Sequence, residues 1–299
     1  MTERSSARVT IGLPVYNGEN LIGECLNNIA AQTYKDFIVL VYDNASTDRT
    51  GEIVCQFAEK DGRIIYHRNK ENVGSAQNFL DVLAAAETDY FLWRADDDLS
   101  SENFLEQLIA ELDANPGASL TAPRVRSERP AKSRVKETEF PHDWPGPRVI
   151  NIIRKMFLSH PSWLYGMWRT DALRKYYHST WEKYPIGWAN DHLVLLEVIL
   201  DEGVVGSNEA CFVQRIGVRD GGSAQPATRD ISEVIDGKRQ MLNRYKLLCR
   251  SAVSGRDWGV FEGFVLRGLI GWYATRRVRS SEFRIFRLRV RRALGRRSA

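Results

Sequence analysis

Four short apolar runs, at residues 9–15 (VTIGLPV), 37–43 (FIVLVYD), 63–67 (RIIYH) and 89–94 (DYFLWR), alternate with stretches of helical spacing. Between the first two, Leu21, Ile22, Cys25, Leu26 and Ile29 recur every three or four residues. Ile53, Val54 and Phe57 follow the second run, and Phe79, Leu80, Leu83 and Ala84 follow the third. Phe104, Leu105, Leu108, Ile109 and Leu112 follow the fourth. Asn44 and Ser46 are placed to cap the second of these helices. Strands joined through helices pair in parallel, so the alternation predicts an α/β sandwich around a mostly parallel central sheet. Ligands of such sheets bind beyond the carboxyl ends of the strands.

The pattern then loosens. A fifth run at 118–125 (ASLTAPRV) is followed by charged, proline-containing sequence to residue 147, which reads as a long loop or a boundary. Apolar helices are expected near residues 150–158 and 192–200, aromatics are dense from Trp163 to Trp188, and a glycine-rich turn precedes a helical C-terminal region. The expected organisation is an α/β half over 1–125, a second half of the same domain over 126–225, and a helical region with a basic tail over 226–299.

The charge distribution adds a constraint on partners. The net charge is +4, yet residues 276–299 hold ten arginines and one glutamate, so the rest of the chain is slightly acidic. A basic tail suits an anionic surface. Its FRLRVR run alternates like a strand, while Phe283, Phe286, Val290 and Leu294 share a helical face, so both readings stand. Cys25, Cys55, Cys211 and Cys249 form no CxxC pair and read as free, with Cys25 and Cys55 at buried helical positions. His67, His142, His160, His178 and His192 lack zinc-ligand spacing. No apolar leader core or membrane-length run appears, so a cytoplasmic chain, peripheral on the membrane, is expected.

At the strand ends stand PVYN, DNASTD, HRN leading to ENVGSAQN, and ADDD. A parallel sheet gathers these loops at one edge. Three adjacent carboxylates repel one another, so Asp96, Asp97 and Asp98 form either a polar capping turn or a cation site. Neither GxGxxG nor GxxxxGK[ST] is present. A phosphate-rich ligand would then need a divalent ion, and hard oxygen ligands suit Mg²⁺ or Mn²⁺.

The segments TIGLPVYNGENLIGECLNNIAAQTY, FIVLVYDNASTDRT, NVGSAQN and LWRADDDL resemble the nucleotide-sugar-binding half of family 2 glycosyltransferases. The resemblance continues more weakly through YGMWRTDAL and WANDHLVLLEVIL to about Gly217. It implies a GT-A fold and a metal-dependent, inverting transfer from a UDP-, GDP- or dTDP-sugar to a glycan or lipid-linked acceptor. It places Pro14, Val15, Tyr16 and Asn17 along the nucleotide, and Asp43, with Asn44 beside it, at the base. Arg68, Gly74 and Asn78 would approach the base or pyrophosphate, although Arg68 reads equally as a surface arginine. The triplet resembles the DxD element: Asp98 is the metal ligand in either register, with Asp96 as alternative ligand and Asp96 or Asp97 facing the ribose.

The same resemblance implies Asp191 as the base that deprotonates the acceptor, against helix N-capping for Asp191 and against His192 as base. Family members commonly carry Glu-Asp here, whereas this chain has Asn190-Asp191. Arg215 or Arg219 takes the position of a late metal or phosphate contact. Trp163, Tyr165, Trp168, Trp181 and Trp188 are candidate acceptor stacks or core. The tail implies an anionic membrane surface, and no nucleic acid is expected. Two other classes compete: a sugar nucleotidyltransferase, disfavoured because PVYNGEN is not a glycine-rich basic loop, and a non-enzymatic membrane- or RNA-binding protein using the tail.

Overall fold

The computed structural model describes residues 7–218 and 231–293. The alternating region forms β1 (Val9–Val15), α1 (Ile22–Ala30), β2 (Phe37–Asp43), α2 (Thr50–Ala58), β3 (Ile64–Arg68), α3 (Ser75–Ala84) and β4 (Tyr90–Trp93). After the acidic turn come β5 (Leu99–Ser100), α4 (Phe104–Ala114), β6 (Leu120–Arg129) and β7 (Arg134–Thr138). The chain continues through α5 (Arg148–Leu158), β8 (Met167–Arg169), α6 (Thr170–Lys183), α7 (Asn190–Leu200) and β9 (Val204–Arg215). It ends in α8 (Ile231–Ser254) and α9 (Val260–Ala293).

All the described strands join one sheet in the order β3-β2-β1-β4-β8-β6-β9-β5, with β7 paired to β6. β3, β2, β1 and β4 are mutually parallel, as the alternation requires. Every residue of β1 and β4 is buried, which explains their unbroken apolar runs. The other half is mixed: β8 is antiparallel to β4 and β6, whereas β6 and β9 are parallel. Their register shifts between Pro123 and Arg124, where a proline that cannot donate to the ladder is accommodated.

Three sequence-based expectations change and one open alternative is decided. The stretch at 124–147 is partly a hairpin, because β6 runs on to Arg129 and β7 returns along it. Asn44 and Ser46 do not cap α2. Asp48 meets that helix start instead, accepting from the Thr50 N–H at 3.0 Å. Cys55 is exposed, while Cys25, Cys211 and Cys249 are buried. The basic tail is helical as far as Ala293 rather than a strand.

The second half packs its helices beside the sheet, with α7 against α5, α6 and α8, and α9 against α5 and α8. One connection carries a pH dependence. The His160 Nδ1 accepts the Ser162 N–H at 3.2 Å and so caps a short 3₁₀ turn. Burial, then repulsion from Lys136, His192 and Arg277, lowers His160 from its ordinary value to about 4. Because the folded value lies below the unfolded one, its stability contribution is intact above about pH 6.5 and is lost as pH falls towards 4. Unfolding in denaturant at pH 7.5 and 5 should differ by about 2 kcal/mol more in the wild type than in His160→Asn, which keeps a capping side chain. Equal differences would exclude this histidine as the cause.

Candidate active site

The carboxyl ends of β1 and β2 are stitched together by side-chain hydrogen bonds. Asn17 adopts a left-handed conformation, φ 49°, that asparagine tolerates better than most residues. Its N–H donates to Ser46 Oγ at 2.9 Å and its Oδ1 accepts the Thr47 N–H at 2.8 Å. The Gly18 N–H donates to Thr50 Oγ1 at 2.8 Å. Burial raises the Asp48 carboxyl, but donors from Thr50 and Glu19 more than offset that and hold it below its ordinary value.

Asp43 ends β2 fully buried. Its Oδ1 accepts the Ser46 N–H at 2.8 Å, and its Oδ2 accepts from the Tyr66 hydroxyl at 2.6 Å and Arg68 Nη1 at 3.0 Å. Arg68 also donates to the Ser46 carbonyl at 2.7 Å. Asn44 reaches to the β3–α3 loop, giving Nδ2 to Asn72 at 2.9 Å and accepting the Val73 N–H at 2.9 Å. Asn78 donates to the Tyr42 carbonyl at 2.8 Å and accepts from Asn69 at 3.1 Å. Gly74 starts α3 at φ 87°, a conformation that disfavours any side chain. Pro14 and Val15 are buried under this surface, whereas Tyr16 is exposed. The structure thus joins Asn17, Asp43, Asn44, Arg68 and Asn78 in one polar mouth.

The acidic turn lies between β4 and β5. Asp96 is buried against Gly18, where an added Cβ would stand 2.4 Å from an Asp96 oxygen, so the turn requires a glycine there. Asp98 is also buried, and its Oδ1 accepts the Arg215 N–H at 2.9 Å. The Arg215 side chain donates to the Asp97 carbonyl and to Glu24. Behind the turn, Arg94 is buried with its guanidinium 5.3 Å from the Phe104 ring and 5.5 Å from the Phe212 ring, donating to Ser100 Oγ at 2.9 Å. Burial first, then Asp97, pushes Asp98 up to about 7, against the pull of the Arg215 N–H, Arg94 and Arg215. Burial also raises Asp97.

Such a cluster resists its own negative charge, and a cation beside it would relieve that cost. Its oxygens suit Mg²⁺ or Mn²⁺. Among the described residues no three His, Cys, Asp or Glu side chains gather to hold a metal unaided. A cation there would therefore need further ligands from outside these side chains. Arg219 lies outside the described residues.

Asp191 occupies the first turn of α7. The capping position is Ala189, left-handed at φ 60°, so Asp191 is not the N-cap. Its Oδ1 accepts the N–H of His192 at 2.8 Å. Burial lowers His192, opposed by Asp191 and reinforced by Arg277. Burial raises the Tyr165 phenol, and the charges of Asp98, Asp191 and Asp97 raise it further. It stacks on Phe212 with ring centroids 5.4 Å apart. Trp163 and Trp168 are core, while Trp181 stacks on Tyr177 at 6.3 Å and Trp188 meets Tyr245 edge-on. The roles of Tyr66 and of the Arg215 backbone had no local sequence signal, since each depends on a strand pairing.

This α/β sheet, with polar strand-end loops and an acidic turn at one edge, has the GT-A fold of the solved glycosyltransferase structures it aligns with. The profile described as Glycosyl transferase family 2 matches residues 10–177, more than half of the chain, and the chain belongs to that family. Glycosyltransferase GlyA of Streptococcus pneumoniae serotype 4 is 34% identical over 105 residues, 35% of this chain and 15% of that protein. Glycosyltransferase GlyG of the same organism is 30% identical over 109 residues, 36% of each chain. The match thus spans well under two thirds of these curated relatives.

Two solved structures share the fold at low identity. S. aureus TarS 1-349 in complex with UDP-GlcNAc aligns with a TM-score of 0.66 and 17% identity, over 90% of this chain and 72% of that one. The mannosyltransferase PcManGT from Pyrobaculum calidifontis, in complex with GDP-Man and Mn²⁺, aligns with a TM-score of 0.54 and 18% identity, over 89% and 69%.

Proposed function

We propose that this chain is an inverting glycosyltransferase that moves a sugar from a nucleoside diphosphate donor to a hydroxyl of a glycan or lipid-linked acceptor. The observation that carries the reading is the meeting of the β1, β2 and β3 end loops and the acidic turn at one sheet edge, in a member of this family. Ligands named for the solved relatives, UDP-GlcNAc and GDP-Man with Mn²⁺, support a nucleotide-sugar donor and a divalent ion.

Asp98, with Asp96 as the alternative, would hold Mn²⁺ or Mg²⁺, and Asp96 or Asp97 would face the ribose. When bound, the ion neutralises charge developing on the departing diphosphate. Pro14, Val15, Tyr16, Asn17, Asn44, Gly74 and Asn78 form the nucleotide cradle. Asp43 reads the base once the half-exposed Arg68 side chain yields one of its oxygens and turns to the donor. Asp191 takes the proton of the acceptor hydroxyl. The oxygen then attacks the anomeric carbon in line as the bond to the diphosphate breaks, which inverts that carbon. The basic tail holds the protein peripherally on an anionic, cytoplasmic-facing membrane, near such acceptors. Residues 1–125 would supply donor binding and 126–225 the acceptor side.

Calorimetric titration with UDP, GDP and dTDP, with and without Mn²⁺, tests the reading. One of the three should bind more tightly with the metal. Failure of all three to do so would remove the proposed donor chemistry.

A further inference from the structure

The described part of α9 buries Leu266, Ile270, Tyr273 and Val278 on one side and presents a second set of apolar residues to solvent on the other. Val260 is 91% exposed, Phe261 67%, Phe264 76% and Trp272 58%. Phe261, Phe264 and Trp272 stand at positions i, i+3 and i+11 and so share a helical face. Grouped exposed aromatics of this size mark an interaction surface rather than ordinary scatter. The same helix contains nine arginines and only two acids. Both acids are already paired, Glu262 with Arg148 at 2.7 Å and Glu282 with Lys246 at 2.5 Å. Arg276 lies 5.8 Å over both Trp272 and the Phe157 ring of α5, so cation and aromatics belong to one surface.

We propose that this face of α9 docks on an anionic lipid bilayer, with Phe261, Phe264 and Trp272 entering the headgroup region and the arginines meeting lipid phosphates. This deepens the membrane-proximal part of the function above, replacing a generally basic tail with a defined aromatic surface. Charge complementarity selects the occupant: two copies of a face that sets the exposed Arg276 and Arg279 beside these aromatics would repel, whereas an anionic surface attracts it. No described helix is long and apolar enough to cross a membrane, so contact would be interfacial.

The opposite side of α9 explains what the docking achieves. Arg277 turns inward, donating to the Ser159 carbonyl at 2.8 Å, and its charge bears on His192. Buried Tyr273 feels the charge of Asp191. α9 packs on α5 and α8, both of which pack on α7, the helix that carries Asp191, so docking would set the bilayer on the far side of that helical layer.

Sedimentation of the full chain with phosphatidylcholine vesicles, with and without phosphatidylglycerol, tests this. Wild-type protein should partition onto anionic vesicles, less so at high salt. Combined Phe261→Ser, Phe264→Ser and Trp272→Ser should lower partitioning by about tenfold or more, leaving nucleotide binding unchanged. In Trp272→Phe, which should stay bound, the lipid-induced blue shift of tryptophan emission should shrink. Equal partitioning of the triple variant and wild type, or no wild-type binding to anionic vesicles, overturns the proposal. So does a lipid-free wild-type dimer that the triple variant breaks into monomers, which would make the face a self-association surface. Vesicle binding that persists where no nucleotide binds would support docking and sink the donor chemistry instead.

Discussion

Asp98→Asn is expected to abolish the tightening of nucleotide binding by Mn²⁺ and to lower transfer about 10²- to 10³-fold, the scale seen when one electrostatic contact to a developing charge is removed. The substitution is a clean test because of what Asp98 touches. Its Oδ1 accepts the Arg215 N–H, and an asparagine oxygen can accept that same bond. The fold should persist, and the variant should melt no lower than wild type, since it deletes a buried carboxylate whose charged form the surroundings disfavour. Loss of activity together with a large fall in Tm would point to Asp98 as a structural link between the acidic turn and β9. The companion variants settle the register. If Asp96 and Asp98 work together, Asp96→Asn should share the loss of metal dependence and Asp97→Asn should keep it. The reverse pattern would make Asp97 and Asp98 the working pair.

The parallel half of the fold was legible because its strands are buried on both sides and its helices have one apolar stripe. β1 and β2 begin and end at the residues their apolar runs mark. The β6–β7 hairpin was not legible for the opposite reason. β7 reads RVKET, with four of its five residues exposed, so no burial pattern separates it from a charged loop. Capping failed at Asn44 and Ser46 because both side chains serve partners far along the chain, the β3–α3 loop and Asn17. The acidic turn could be found from sequence, since three adjacent carboxylates demand a reason. Its surroundings were legible only in part: the resemblance offered Arg215 as a late contact, but that its backbone N–H closes on Asp98 from β9, and that Arg94 is buried between the Phe104 and Phe212 rings, had no local signal. Pairings that distant become visible only once the mixed half of the sheet is laid out.

Asp191→Asn is expected to leave nucleotide binding and its response to Mn²⁺ intact while lowering transfer about 10²- to 10⁴-fold, the usual contribution of a general base. The structure removes the simplest competing role, since Ala189 rather than Asp191 is the capping residue of α7. What Asp191 does within the chain is accept one N–H from the adjacent His192, a bond that an asparagine oxygen can also make. Stability should therefore change little, and a loss confined to turnover would mark a chemical role. His192 is the rival base, and burial lowers its affinity for protons. The two are separated by His192→Gln: if Asp191 is the base, this variant retains most of its turnover and Asp191→Asn does not. If Asp191→Asn keeps its turnover and His192→Gln loses it, the proton goes to the histidine. Should both variants turn over normally, the base must come from elsewhere in the acceptor half, and Asp191 would be left as a first-turn acid that favours the start of its helix.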